Sequence, residues 1–324
     1  MKNLKHILGT LLVTALVFTS CTNNDNDDLV IPATAAEFDA IQEQALEGLT
    51  QTFQFNAEDG AINFTSAKGV EIYINGGCLT KNGVAVTGAV ELQFVELFDR
   101  GSMLTTNKPT MGFMPNGDKA LLISGGEFFV QATQNGVALE TNCGFQMQIP
   151  ADLTGGVDNA MILWNGIIDA EGNLAWAEEK RDGANGQGGV FGEGNQYYGF
   201  FQSFGWSNVD RFYSDPRPKT TILVAVPTGY DNTNSSVYLS YDGEEAGLAN
   251  LDTYDAQTGL FSEHYGQIPI GLECHVIFAT EDGGNWKYAI KAVTIVANGV
   301  ITFTESETSV ATEAQLTTII NNLP

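Results

Sequence analysis

The stretch Glu127-Phe128-Phe129-Val130-Gln131-Ala132-Thr133, followed after Gln134 by Asn135-Gly136, decides the fold class. Its aromatic and β-branched residues predict a strand, and the Asn-Gly pair accepts the positive φ angles that a tight hairpin requires. The same turn chemistry recurs at Asp59-Gly60, Asn75-Gly76, Asn82-Gly83 and Asn116-Gly117. Five such pairs within about eighty residues predict antiparallel β-structure.

Strand patterns continue on both sides of this hairpin. Before Pro150 they cover residues 52–55, 61–65, 70–74, 89–97, 121–124, 127–133 and 144–149. From residue 159 onward they cover 160–164, 173–176, 197–204, 220–226, 236–241, 274–280, 287–296 and 300–304. The intervening segment 151–158 contains Gly155-Gly156, which favours a boundary. We expect an all-β chain with two antiparallel β-sandwich-like units of immunoglobulin or carboxypeptidase-regulatory type, at residues 35–150 and 159–324.

A short helix is predicted at each end of this body. Phe38, Ile41, Ala45, Leu46 and Leu49 recur at helical spacing among acidic and amide residues. The residues from Thr312 to Leu323 predict a second short helix.

The N-terminus has the anatomy of an export signal. Lys2 and Lys5 precede an apolar run from Ile7 to Phe18, which small polar residues follow. A membrane-spanning helix needs about twenty apolar residues, so this run is too short to remain as a span. We expect residues 1–20 to be a signal peptide.

The charge of the mature chain excludes one class of partner. Without residues 1–20, 12 basic residues face 39 acidic residues, which gives a net charge of −27. A field of that sign repels phosphate backbones, so we expect no nucleic-acid partner.

The residues Phe18-Thr19-Ser20-Cys21 resemble the lipobox of bacterial lipoproteins, which implies a lipid on Cys21. Phe18 stands where such motifs usually carry Leu, and plain signal cleavage is the alternative. The acidic and Asn-rich residues 23–28, within a flexible tether at 21–34, resemble the signal that sends Bacteroidota lipoproteins to the cell surface; a solvated linker is the alternative. The resemblance implies a lipid-anchored protein of the outer membrane that faces the cell exterior.

The body of the chain also resembles uncharacterised Bacteroidota surface lipoproteins. The residues that carry this resemblance are the stretch Gly205 to Tyr213, the turn Asn107-Lys108-Pro109-Thr110, and the stretch Leu121 to Phe129 through Gly125-Gly126. The resemblance implies a location and a β scaffold, but no catalytic residues.

Three cysteines remain after Cys21. Cys78 and Cys143 fall in the same predicted unit and could close a disulfide loop that stabilises the fold by about 4 kcal/mol. Strand alternation places Cys274 with Leu272, Val276 and Phe278 on one face, which predicts a buried thiol.

Signals for metals and cofactors are weak. His264 and His275 are the only histidines beyond the leader, and neither has a partner at ligand spacing, so we expect no transition-metal site. Carboxylate and amide oxygens, which calcium prefers as ligands, are close together in two predicted turns. Calcium is therefore the one candidate cofactor. The residues concerned are Asp231, Asn232 and Asn234 in one turn, and Asp242 and Glu244 in the other.

An aromatic-rich segment spans residues 197–213. Strand alternation places Tyr198 and Phe200 on one face, and Tyr197 and Phe201 on the other. Beyond this strand we expect a loop in which Trp206, Asn208, Asp210 and Arg211 contact a ligand or partner. The alternative is a structural plug held by Asp210 and Arg211.

These patterns predict a non-enzymatic cell-envelope lipoprotein that binds or scaffolds through contact with glycan, matrix or an envelope protein. One alternative is a carboxylate-based glycoside hydrolase or another hydrolase, because two catalytic acids need only meet in space. The other alternative is a purely structural or adhesive envelope component.

Overall fold

The computed structural model describes residues 31–169, 172–180 and 189–324, without the side chain of His264. The predicted signal peptide, Cys21 and most of the tether lie outside the described residues. Residues 32–324 form one compact unit. Strands hold 51% of the described residues, and helices, with short 3-10 segments included, hold 15%, which confirms the all-β class.

Three helices lie in the described part of the chain: α1 (Ala35–Leu49), α2 (Arg100–Thr105) and α3 (Glu313–Asn321). A capping box starts α1, because the Thr34 hydroxyl accepts from the Glu37 amide while the Glu37 carboxylate accepts from the Thr34 amide. Helices α1 and α3 lie where the sequence predicts them. Helix α2 was not predicted; it begins at Asp99, whose carboxylate accepts from the Ser102 amide.

The strands follow in chain order. Those up to residue 212 are β1 (Gln51–Asn56), β2 (Ala61–Thr65), β3 (Glu71–Asn75), β4 (Leu79–Lys81), β5 (Val84–Ala85), β6 (Ala89–Leu97), β7 (Met111–Phe113), β8 (Lys119–Gln134), β9 (Val137–Ala138), β10 (Glu140–Thr141), β11 (Phe145–Pro150), β12 (Ile162–Ile168), β13 (Leu174–Glu178), β14 (Val190–Glu193), β15 (Gln196–Phe201) and β16 (Gly205–Phe212). The later ones are β17 (Lys219–Ala225), β18 (Ser235–Tyr241), β19 (Ala249–Asn250), β20 (Thr253–Asp255), β21 (Leu260–Pro269), β22 (Glu273–Asp282), β23 (Asn285–Thr294), β24 (Gly299–Thr302) and β25 (Ser309–Ala311).

The first sixteen strands form three sheets. The largest has the order β1-β6-β8-β16-β12-β13-β7, with β9 also on β8. A second has the order β14-β15-β11-β3-β2, and a small third has the order β10-β4-β5. The first two sheets share one apolar core, in which Phe94 and Val130 of the largest sheet meet Ile72 and Met147 of the second.

Five strands of the largest sheet close into a barrel that the sequence did not predict. Strand β7 pairs in parallel with β13 and antiparallel with β8, so β8, β16, β12, β13 and β7 form a ring. The barrel encloses the fully or almost fully buried side chains of Leu122, Trp164, Leu174 and Trp176. Gly166 is required here, because a Cβ at this position would lie 2.5 Å from the Cβ of Trp206.

Strands after Phe212 form two more sheets, β20-β21-β17-β24 and β19-β18-β22-β23-β25. They share a second core, which includes Val224, Phe261 and Phe278. Cys274 belongs to this core and is 1% exposed, as strand alternation predicts. Burial raises the pKa of its thiol to about 12, so it is an unreactive core residue.

The sheets change partners at a different place from the predicted boundary. The sequence places that boundary at residues 151–158, but β12, β13 and β16 join the largest sheet, and β14 and β15 join β11. The first three sheets therefore use the chain as far as Phe212. The predicted boundary was placed at a Gly and Pro segment, which marks a turn. Such a local signal does not show that strands on its two sides pair with each other.

Candidate functional site

The segment that the sequence assigns to a contact loop is the strand β16. It is paired on both sides, with β8 and with β12. Asn208 and Asp210 are both 0% exposed, so no ligand can reach them in this structure. The loop prediction was wrong, because the aromatic-rich segment holds two strands separated by a short bend at residues 202–204.

Trp206 and Arg211 are partly buried and make internal contacts. The Trp206 ring lies 5.3 Å from the Phe129 ring, and the ammonium of Lys108 lies 5.5 Å from its centre. The Nε of Arg211 donates to Oδ2 of Asp158 at 2.6 Å. Arg211 therefore pairs with Asp158, not with Asp210 as the plug alternative supposed.

Behind Trp206 lies a buried polar cluster of Ser124, Glu127, Asn208 and Asp210, all 0% exposed. The Ser124 hydroxyl donates to Oδ1 of Asn208 at 3.0 Å. The Asn208 amide donates to Oδ2 of Asp210 at 2.5 Å and to Oε1 of Glu127 at 3.5 Å. Asn208 is the centre of this network.

A β-bulge at Gly125-Gly126 creates the cluster. Residues 124 and 127 of a regular strand would face opposite sides, but the register shift opposite Val209 places both side chains on the same face of the sheet as Asn208 and Asp210. Gly126 has a φ of 134°, and a Cβ there would lie 2.5 Å from the Phe128 ring. A Cβ on Gly125 would lie 2.9 Å from the Val209 carbonyl oxygen. Both glycines are therefore needed.

Burial raises the pKa of Glu127 and of Asp210 well above the usual range of carboxyl groups. The charge of Asp210 raises the pKa of Glu127 further, while the ammonium of Lys108 lowers it. Two buried carboxyl groups in such proximity cannot both ionise cheaply. All four side chains are fully buried, so the cluster has no access for a polymeric substrate.

An exposed surface lies on the second sheet, on the side away from its core. Strand pairing aligns Asn63, Tyr73, Gln146 and Phe200 in one row across β2, β3, β11 and β15. Tyr73 is 41% and Phe200 36% exposed. We call this row and its neighbours on the same side of the sheet the outer face.

A second row of the outer face runs beside the first. It aligns Thr65, Glu71, Gln148, Tyr198 and Phe191. The Phe191 and Tyr198 rings stack at 5.2 Å, and the Gln148 amide donates to the Tyr198 hydroxyl at 2.9 Å. The outer face thus alternates aromatic rings with amides and hydroxyl groups.

The first row forms part of an open groove of about 780 Å³. Among its described lining residues, the polar side chains other than Tyr73 are all amides: Asn63, Asn75, Asn142, Gln146 and Gln202. None of these described side chains carries a formal charge. Rings and amides in one concavity can stack on a ligand and exchange hydrogen bonds with it.

A disulfide fixes one end of this groove. Cys78 and Cys143 are joined, with their Cα atoms 5.8 Å apart, and Cys143 lines the groove. The bond ties the turn after β3 to the turn before β11. The two central strands of the outer face are therefore covalently connected at one end.

Strand alternation predicts half of the outer face. The sequence places Tyr198 and Phe200 opposite Tyr197 and Phe201, and the latter two are 1% and 3% exposed in the core. Tyr73 was missed, although it alternates with Ile72 and Ile74, both of which are buried. The same period of two would have found it.

An acidic groove of about 450 Å³ also occurs, and it bears on the hydrolase alternative. Its carboxylates are Asp99, Asp152, Glu244 and Glu245. Asp99 caps α2 and pairs with Lys68 at 3.3 Å, and Asp152 accepts from Asn195. Two of the four carboxylates are thus engaged in structural hydrogen bonds. The hydrolase remains an untested prediction.

The calcium candidates have structural contacts. Oδ1 of Asp231 accepts from the amide and hydroxyl of Thr233, and the Asn234 amide donates to the Ala33 carbonyl. Asp242 lies 2.8 Å from Nδ1 of His275. Asn232 is exposed in the same turn as Asp231, while burial raises the pKa of Glu244. In the described part of the chain, no three His, Cys, Asp or Glu side chains converge as metal ligands.

Within the described ranges, no helix has the length and apolar character needed to cross a bilayer. Comparison of the sequence with known protein families and with curated proteins finds no match.

Proposed function

We propose that this protein is a non-enzymatic binding module of the cell envelope that contacts glycan through the outer face. The observation that carries the proposal is the first row of the outer face, which has no charged side chain and in which the exposed rings of Tyr73 and Phe200 flank Gln146. Exposed rings offer flat apolar area at low entropic cost, and amides can both donate to and accept from hydroxyl groups. A sugar ring has an apolar face that can stack on an aromatic ring, and it carries hydroxyl groups that can pair with amides.

The arrangement of the sheets as β-sandwiches is also part of the proposal. We propose that each pair of sheets forms a β-sandwich-like unit of immunoglobulin or carboxypeptidase-regulatory type. The support is that each pair encloses one common apolar core. The barrel is then an elaboration of the first unit.

The anchor is the second part of the proposal. We propose that Cys21 carries a lipid and that the acidic tether displays the body outside the outer membrane. The support is the lipobox-like sequence and the acidic residues after it. Two or more acyl chains hold a protein firmly at a membrane, because each buried methylene contributes about 0.8 kcal/mol.

Binding of the purified body to an array of oligosaccharides and polysaccharides tests the contact. We expect Tyr73→Ala and Phe200→Ala each to weaken binding at least about tenfold, as truncation of a central aromatic contact does. Val300→Ser is the matched control, since Val300 is 60% exposed on β24 in another sheet. Binding that survives both ring truncations would refute the site.

Fractionation of cells that produce Cys21→Ser tests the anchor. We expect the variant to leave the membrane fraction, while the parent protein remains there and is accessible to protease added to intact cells. Continued membrane retention of Cys21→Ser would contradict lipidation.

A further inference from the structure

The groove on the outer face differs in charge from the rest of the molecule. The whole chain has a formal charge of −25, yet none of the described side chains that line the groove is charged. Glu71 is the acidic neighbour in the adjoining row, where it accepts from Thr65 at 2.8 Å. The groove is thus an uncharged site within an acidic protein.

This lining selects against anionic ligands. Sites for carboxylate, sulfate or phosphate groups use Arg, Lys or clustered backbone amides, and the groove has no lysine or arginine among its described lining residues. A polyanion would also approach against the net field of the protein. Amide side chains pair well with hydroxyl groups, which neither gain nor lose charge on binding.

The spacing of the rings indicates the length of the ligand. Tyr73 and Phe200 lie on either side of Gln146, so β11 separates their strands. Two strand spacings correspond to roughly 9.5 Å, which is more than the width of one sugar ring. A single saccharide cannot cover both rings, whereas an extended chain lying across the strands can.

We infer that the groove binds an uncharged, extended oligosaccharide, which stacks on Tyr73 and Phe200 while the Gln146 amide between them bonds to its hydroxyl groups. The inference rests on the proposed glycan-binding function and narrows its ligand class.

The test compares neutral glucans, xylans and mannans with uronate-containing and sulfated polysaccharides, using the purified body and calorimetry. We expect the neutral chains to bind with an affinity that changes little as salt rises, because no ion pairs are screened. We expect oligosaccharides of several sugars to bind at least about tenfold more tightly than monosaccharides. Gln146→Ala and Gln146→Glu should each weaken binding of the neutral chains. Val300→Ser should leave it unchanged.

The outcomes separate the two proposals. Binding of anionic glycans alone, or affinity that falls steeply with salt, would overturn the neutral-ligand inference and leave glycan binding intact. Equal affinity for monosaccharides and long chains would overturn the extended-ligand inference. Absence of binding to every glycan would overturn the proposed function itself.

Discussion

Strands β15 and β16 are neighbours in the sequence, and both carry aromatic residues, yet their environments differ. One face of β15 lies in the core with Tyr197, and the other exposes Phe200 on the outer face. Strand β16 is covered on both sides, so that Val209 lies in the first core and Asn208 in the buried polar cluster. Two strands of similar composition can therefore differ in exposure, because one is covered on a single face and the other on both faces.

The largest expected effect comes from the interior of the barrel. Trp164 is 0% exposed, and its indole nitrogen donates to the Asp210 carbonyl at 2.9 Å. Trp164→Ala should lower the free energy of unfolding by about 3–5 kcal/mol, because it leaves a cavity and removes the hydrogen bond from the indole. Urea unfolding measures this loss. Trp164→Phe, which keeps part of the ring, should cost less; equal losses would show that the cavity is not the cause.

The disulfide beside the outer face should come next. Replacement of Cys78 and Cys143 together by Ser should cost about 2–4 kcal/mol, since the bond closes a loop with a sequence separation of 65 residues. Thermal unfolding of the double variant, compared with the oxidised parent protein, measures this contribution. A reduced parent that unfolds at the same temperature as the oxidised one would show that the bond does not stabilise the outer sheet.

The buried polar cluster should make stability depend on pH. Burial raises the pKa of Asp210 and Glu127, so the folded protein retains protons that the unfolded chain releases above pH about 4. The contribution of these two groups to stability is then fully present below that pH and is lost as the pH rises toward the folded pKa values. Asp210→Asn should flatten this fall in melting temperature as the pH rises above about 4, the ordinary carboxyl range.

Glu263 supplies an internal comparison for that experiment. Burial raises its pKa to about 7, and it lies on β21, outside the buried polar cluster. Part of the slope should therefore persist in Asp210→Asn and disappear when Glu263→Gln is added. An unchanged slope in Asp210→Asn would mean that the cluster does not titrate in this range.

The smallest effect on stability is expected at the outer face. Tyr73→Ala removes a side chain that is 41% exposed, and cross-strand contacts of this kind contribute about 0.2–1 kcal/mol. The free energy of unfolding measured with denaturant should therefore change by less than about 1 kcal/mol, while glycan binding weakens at least about tenfold. A loss as large as that of Trp164→Ala would remove the contrast between the two regions.

Local patterns predicted much of the fold. Helix α1 follows from the spacing of Phe38, Ile41 and Ala45, all of which are buried. The position of Cys274 and the division of Tyr197 from Tyr198 follow from the period of two in a strand. The barrel does not follow from such patterns, because β7 and β13 are distant in the chain and meet through a single parallel pairing.

The sequence predicted a contact surface of aromatic and amide residues, but it placed that surface in the wrong segment. Exposed aromatics beside amides were expected, but at Trp206 and Asn208, where the structure has a covered strand. Nothing local in residues 205–212 distinguishes a strand with two covered faces from an exposed one. Tyr73, by contrast, was readable from its alternation with Ile72 and Ile74.

The sequence by itself determined the β class, both terminal helices and the alternation of side chains along each strand, since these depend on residues close together in the chain. Only the tertiary structure decided which faces are covered. It closed the barrel over Trp164 and left Tyr73 and Phe200 exposed, because the layering of strands depends on long-range pairing and on the free energy of burying one face against another.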